Sequence, residues 1–108
     1  MPILYGVDTS KPVTPEMVRD AIVECFYQAH CTDSGIATIL SENENKTYCR
    51  EIVKKGFSDL SMDFNQPTKE ALLKVVGYLV EFSKNFRDPS IVLAHKESIM
   101  QLINALPQ

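Results

Sequence analysis

Two dipeptides, Thr14-Pro15 and Asp88-Pro89, each put a helix-capping side chain directly before proline. A threonine or aspartate oxygen can accept from a backbone N–H that the first helical turn leaves without a partner. Proline fixes the first helical φ at a position where no N–H is needed. Each pair therefore predicts a helix start. Two further starts follow from Ser41-Glu42-Asn43-Glu44, which has capping-box spacing, and from Thr68, which stands just after Pro67.

Behind each start the apolar residues recur at helical spacing. After Thr14 they are Val18, Ala21, Ile22, Cys25, Phe26 and Ala29, a single stripe that predicts a helix ending near His30 or Cys31. The second helix starts at Gly35 or at Ser41, and its inward positions are Tyr48, Cys49, Ile52, Val53, Phe57 and Leu60. Gly56 lies inside it and costs about 1 kcal/mol relative to alanine unless close packing requires it. The third carries Leu72, Val75, Val76, Leu79, Phe82 and Phe86, widened by Leu73 and Val80. A helix apolar over so much of its circumference is central to a bundle or shared with a partner chain. The fourth runs from Pro89 toward Leu106, with Val92, His95, Ile99, Met100, Leu102, Ile103 and Leu106 facing inward.

Residues 1–13 differ from the rest. Ile3, Leu4, Tyr5 and Val7 precede the turn formers Asp8 to Pro12, which reads as a short strand or arm. A lone strand leaves backbone groups unpaired, so this reading has the arm pack on the helices or pair with a second copy. The expected architecture is all-α: a four-helix up-and-down bundle or close variant over 14–108, with an extended N-terminal arm over 1–13.

The net charge of −3 disfavours nucleic acid as a partner, since that affinity draws on clustered Lys and Arg. No stretch reaches the roughly 20 apolar residues needed to cross a bilayer. Together with three sparse cysteines, this leads to the expectation of a cytoplasmic protein with reduced thiols.

Three constellations could carry chemistry. Cys25, His30, Cys31 and Cys49 offer the donor types of a zinc or thiol-redox site, but no C-x2-C pair is present, and Cys25 and Cys49 fall on apolar stripes. Cys31 could also act as a nucleophile with His95 as base and Asp33 as orienter, although no oxyanion-hole motif accompanies them. Lys46, Arg50 and Lys54 recur every four residues and, with Lys55, form a basic ridge suited to an anion or an acidic partner. Glu42 and Glu51 precede Lys46 and Lys55 by four residues, which equally fits a solvated face of weak ion pairs. Of the aromatics, Tyr27 and Phe64 fall off the inward stripes and are expected to be exposed or to cap a second interface. No complete catalytic constellation emerges. The reading is of a binding or regulatory protein rather than an enzyme, associating with itself as a homodimer or with another protein.

Overall fold

The computed structural model describes residues 3–4, 7–8, 10–33, 40–85 and 90–106, with side chains at all of these except 3–4, 32–33, 85 and 90–94. The elements are β1 (Ile3–Leu4), β2 (Val7–Asp8), α1 (Pro15–Asp33), α2 (Glu42–Asp59), α3 (Lys69–Phe82) with a 3-10 turn at Ser83–Asn85, and α4 (Ser90–Asn104). Asp88-Pro89 and the segment around Ile36 and Ile39 lie outside the described residues.

The predicted caps form. Thr14 Oγ1 accepts from the Met17 N–H at 3.2 Å, and Pro15 follows as the first helical residue. Ser41 and Glu44 make a reciprocal capping box, with Ser41 Oγ accepting from Glu44 N–H and Glu44 Oε1 from Ser41 N–H, both at 3.1 Å. That bond pair starts α2 at Glu42. Thr68 Oγ1 accepts from Ala71 N–H at 3.1 Å. α1 continues to Asp33, a little past the end expected from its apolar stripe.

α2 closes differently from any pattern visible in the sequence. Ser61 adopts φ 58, Ser61 N–H donates to Ser58 C=O, and Met62 N–H donates to Phe57 C=O. This is a Schellman ending with serine where glycine is the usual residue.

α1 packs against both α2 and α4, and α3 packs against the same two, so the helices follow one another around the bundle in chain order. α1 and α3 also touch across the middle. The Lys69 ammonium at the head of α3 donates to Leu106 C=O just beyond α4, which sets these two helices antiparallel. The core holds Val18, Ile22 and Phe26 from α1, Val53 and Phe57 from α2, Leu72, Val75 and Leu79 from α3, and Ile99, Leu102 and Ile103 from α4.

The N-terminal segment corrects the lone-strand expectation. β1 pairs antiparallel with β2, Ile3 opposite Asp8 and Leu4 opposite Val7. Only Tyr5 and Gly6 separate the strands, the spacing of a tight hairpin, so the segment supplies its own pairing partner. β2 lies on α1 and β1 on α4, with Val7 buried against the core.

Two inward assignments on α2 also fail. Tyr48 is 38% exposed and Leu60 is 36% exposed. Tyr48 sits beside the stripe defined by Asn45, Cys49 and Val53, and Leu60 falls at the helix cap.

Candidate functional site

The seam between α1 and α2 gathers most of the polar and ionisable groups that the sequence brought forward. At its α2 N-terminal end His30 is 2% exposed and Asn45 is 4% exposed, with His30 Nε2 2.9 Å from Asn45 Oδ1. The Asn45 amide group donates to Leu40 C=O at 3.4 Å, so its oxygen faces the imidazole and Nε2 carries the proton. Tyr48 lies over the same imidazole, ring centroids 4.9 Å apart and planes tilted by 30°. The capping box supplies the local reason for Asn45: it fixes the first turn of α2 and points its fourth residue into α1.

One turn further on, Cys49 is fully buried, and burial, followed by the charge of Cys31, pushes its thiol up to about 12. It is a core residue and stays protonated at neutral pH. Cys25 is also buried, on the side of α1 that faces α3 and α4, whereas Cys31 is exposed and all three cysteines are free thiols. Partial desolvation, and then a hydrogen bond with Cys31, hold the Tyr27 phenol above its usual range. Among the described residues no group of three or more His, Cys, Asp or Glu side chains is placed to hold a metal ion. Cys25, His30, Cys31 and Cys49 thus face different surroundings, and the proton-bearing nitrogen of His30 is engaged by Asn45. His95 is half-buried on α4, and the Asp33 side chain lies outside those described.

The basic ridge divides along its length. Lys46 pairs with Glu42 at 3.1 Å and reaches over the Tyr27 ring, while Lys54 stands 3.6 Å from Glu51. Lys55 pairs with Asp59 at 3.0 Å. Asp59 also accepts from the Tyr78 hydroxyl at 2.9 Å, tying α2 to α3. Hydrogen bonds from Lys55 and Tyr78 lower the Asp59 carboxyl, and the same contacts raise Lys55 and Tyr78. Arg50 alone of the four has no carboxylate partner among the described residues.

Phe64 reverses its expected exposure. It is 8% exposed, in a turn held by Asp63, whose carboxylate accepts from Asn65 N–H at 2.8 Å. The Arg19 guanidinium donates to Phe64 C=O at 3.0 Å, and Phe57 meets the ring edge-on at 5.5 Å. The sequence signal available was the Asp63-to-Asn65 turn chemistry. Arg19, forty-five residues away, could be linked to it only by folding.

Two depressions flank these groups. A groove of about 290 Å³ between α1 and α2 has acidic Asp20 and Glu24 on one wall and Lys46 and Arg50 on the other. The crevice between α1, α3 and α4 is apolar and of about 30 Å³, room for about one water molecule. The aromatic residues there fill the core, Phe26 meeting Phe82 edge-on at 5.8 Å.

The class defined by these features is a small all-α four-helix bundle with a polar seam on one side. No family model, no curated protein and no solved structure matches the chain. No described helix is long and apolar enough to cross a membrane.

Proposed function

We propose that this protein is a helical protein-interaction module that associates with itself through the outer face of α3. The observation that supports the reading is a strip along that face. Leu73 is 40% exposed, Gly77 has nothing within 4 Å of where a Cβ would stand, and Val80 is half-buried. These residues lie at i, i+4 and i+7, one line on a helix. Glu70 extends the line by a turn at the head of α3, and Lys84 follows in the 3-10 turn at its end, each seven residues from Gly77.

A second copy laid antiparallel about Gly77 would meet this face with complementary groups. Glu70 of each copy would face Lys84 of the other, Leu73 would approach Val80, and the bare glycine backbone would allow close helix contact. Within one chain Glu70 already pairs with Lys74 and Lys84 with Glu81, so the charged ends would form shared networks without stranding a charge.

Sedimentation analysis over a wide concentration range tests the reading. The expected result is a reversible dimer that Leu73→Glu converts to monomer and Leu60→Glu, off this strip, leaves intact. A wild-type chain that is monomeric throughout, or a dimer indifferent to Leu73→Glu, overturns it.

A further inference from the structure

The second feature that stands out is the company kept by Phe64. The Arg19 guanidinium lies 4.8 Å from the ring centroid, that of Arg50 5.4 Å, and the Lys54 ammonium 5.5 Å. No two of these cations can then stand more than about 11 Å apart. A phenyl ring attracts cations at its faces and repels them at its edge, each face contact being worth about 0.5–1 kcal/mol at exposed sites. With three cations over one ring at least two share a face, and Phe57 packs against the ring at near right angles, 5.5 Å between centroids.

The three carboxylates nearby, Asp20, Glu24 and Glu51, match the cluster in number but leave Arg50 without an ion pair. Arg19 is committed: Nε and Nη2 go to Asp20 at 3.1 and 3.0 Å and Nη1 to the Phe64 carbonyl, with the side chain only 13% exposed. Lys54 meets Glu51 at 3.6 Å, beyond a good hydrogen bond, and that carboxylate is 63% exposed. Arg50 has no acidic partner among the described residues. On the far wall of the adjoining groove Glu24 is bonded by Gln28 at 3.2 Å, and Asp20 is held by Arg19.

We infer that Arg50 and Lys54, one helical turn apart on α2 and backed by Arg19, form a binding site for a phosphate group. Residues four apart on a helix lie about 5–6 Å apart at Cβ, so both heads can reach one tetrahedral anion. Arg50 supplies the planar fork suited to two phosphate oxygens and Lys54 a point charge. The packed ring of Phe64 holds the pair near one another before the anion arrives, and the fixed guanidinium of Arg19 adds positive charge that an anion would relieve. This site uses Arg19 in place of Lys46 and Lys55 of the sequence-level ridge, because Lys46 turns to Glu42 and Tyr27, and Lys55 to Asp59. It is independent of the α3 face, and the monomeric Leu73→Glu chain should bind equally well.

The experiment is an NMR titration of the full chain at constant ionic strength, chloride being exchanged for inorganic phosphate or for N-acetyl-phosphoserine amide. Saturable shifts at Arg50, Lys54 and Arg19 are expected, with binding about tenfold weaker in Arg50→Gln and unchanged in Lys46→Gln. Tighter binding of the ester would identify the ligand as a phosphorylated side chain, and equal binding would identify free phosphate. Non-saturating shifts, or equal weakening by Arg50→Gln and Lys46→Gln in folded variants, would overturn the site in favour of diffuse charge attraction.

Discussion

The α3–α4 seam and the α1–α2 seam bury side chains equally well and do so with different chemistry. In the first, α3 and α4 are in contact, and their buried core residues, Leu72, Val75, Val76 and Leu79 with Ile99, Leu102, Ile103 and Leu106, are aliphatic. The second places a hydrogen-bonded His30–Asn45 pair and the Cys49 thiol among its buried groups. Aliphatic contact is strong and nearly indifferent to direction, so it holds helices together without selecting one placement. A buried imidazole–amide bond is satisfied in one register only, and a shift by a turn would strand a donor and an acceptor, at about 1–3 kcal/mol each. The aliphatic seam mainly stabilises, and the polar seam mainly selects.

The most direct way to break this contrast is to truncate one residue from each side. Leu102→Ala should cost about 2–5 kcal/mol, since the residue is fully buried and leaves a cavity. Asn45→Ala should cost about 1–3 kcal/mol by leaving the His30 donor unpaired. Replacing His30 and Asn45 together with leucine should recover part of that loss while broadening the amide NMR spectrum of α1 and α2. Urea unfolding of the three variants checks the order; a double variant less stable than Asn45→Ala, or one as sharply ordered as wild type, removes the selecting role.

Gly56 of α2 and Gly77 of α3 sharpen the comparison. A Cβ at Gly56 would stand 2.8 Å from Tyr78 Cδ1, whereas at Gly77 it would meet nothing within 4 Å. Alanine in either place gains about 1 kcal/mol of helix propensity. In the monomeric Leu73→Glu background Gly77→Ala should therefore stabilise by about that amount. Gly56→Ala should lose the gain by displacing the Tyr78 ring and its bond to Asp59. Equal stabilisation by both substitutions would show that the Tyr78 contact at α2 is not constraining.

The smallest effect at neutral pH belongs to Cys49 and emerges only in alkali. Its folded thiol is raised from the ordinary 9.0 to about 12, so the protonated form favours the folded state. That contribution is fully present below the unfolded value, and stability falls as pH rises through the interval toward 12. Tyr78 and Lys55, also raised, act in the same direction. Cys49→Ala should flatten the decline in the urea midpoint above pH 9 without abolishing it. An identical slope in the variant would mean that the thiol does not titrate with unfolding.

Helix starts were legible because caps are local: Thr14, Ser41 and Thr68 each bond within three residues of themselves. The aliphatic core was legible for a similar reason, periodicity alone placing Val18, Ile22, Val53, Leu72 and Leu102 on inward faces. The candidate site was legible only as residue types. Arg50 and Lys54 stood out by spacing, but their difference from Lys46 and Lys55 rests on which neighbour each side chain reaches. Arg19 carried no signal.

The amino-acid sequence by itself determined that this chain forms four helices, where three of them begin, and which stripes turn inward, because those depend on contacts between residues a few positions apart. Tertiary structure alone decided that the N-terminal hairpin lies on α1 and α4, and that His30 finds Asn45. It also buried Phe64 beneath Arg19, Arg50 and Lys54 and left Gly77 open. Each of those outcomes depends on which surfaces meet and exclude water, a property of the packed helices that no local pattern encodes.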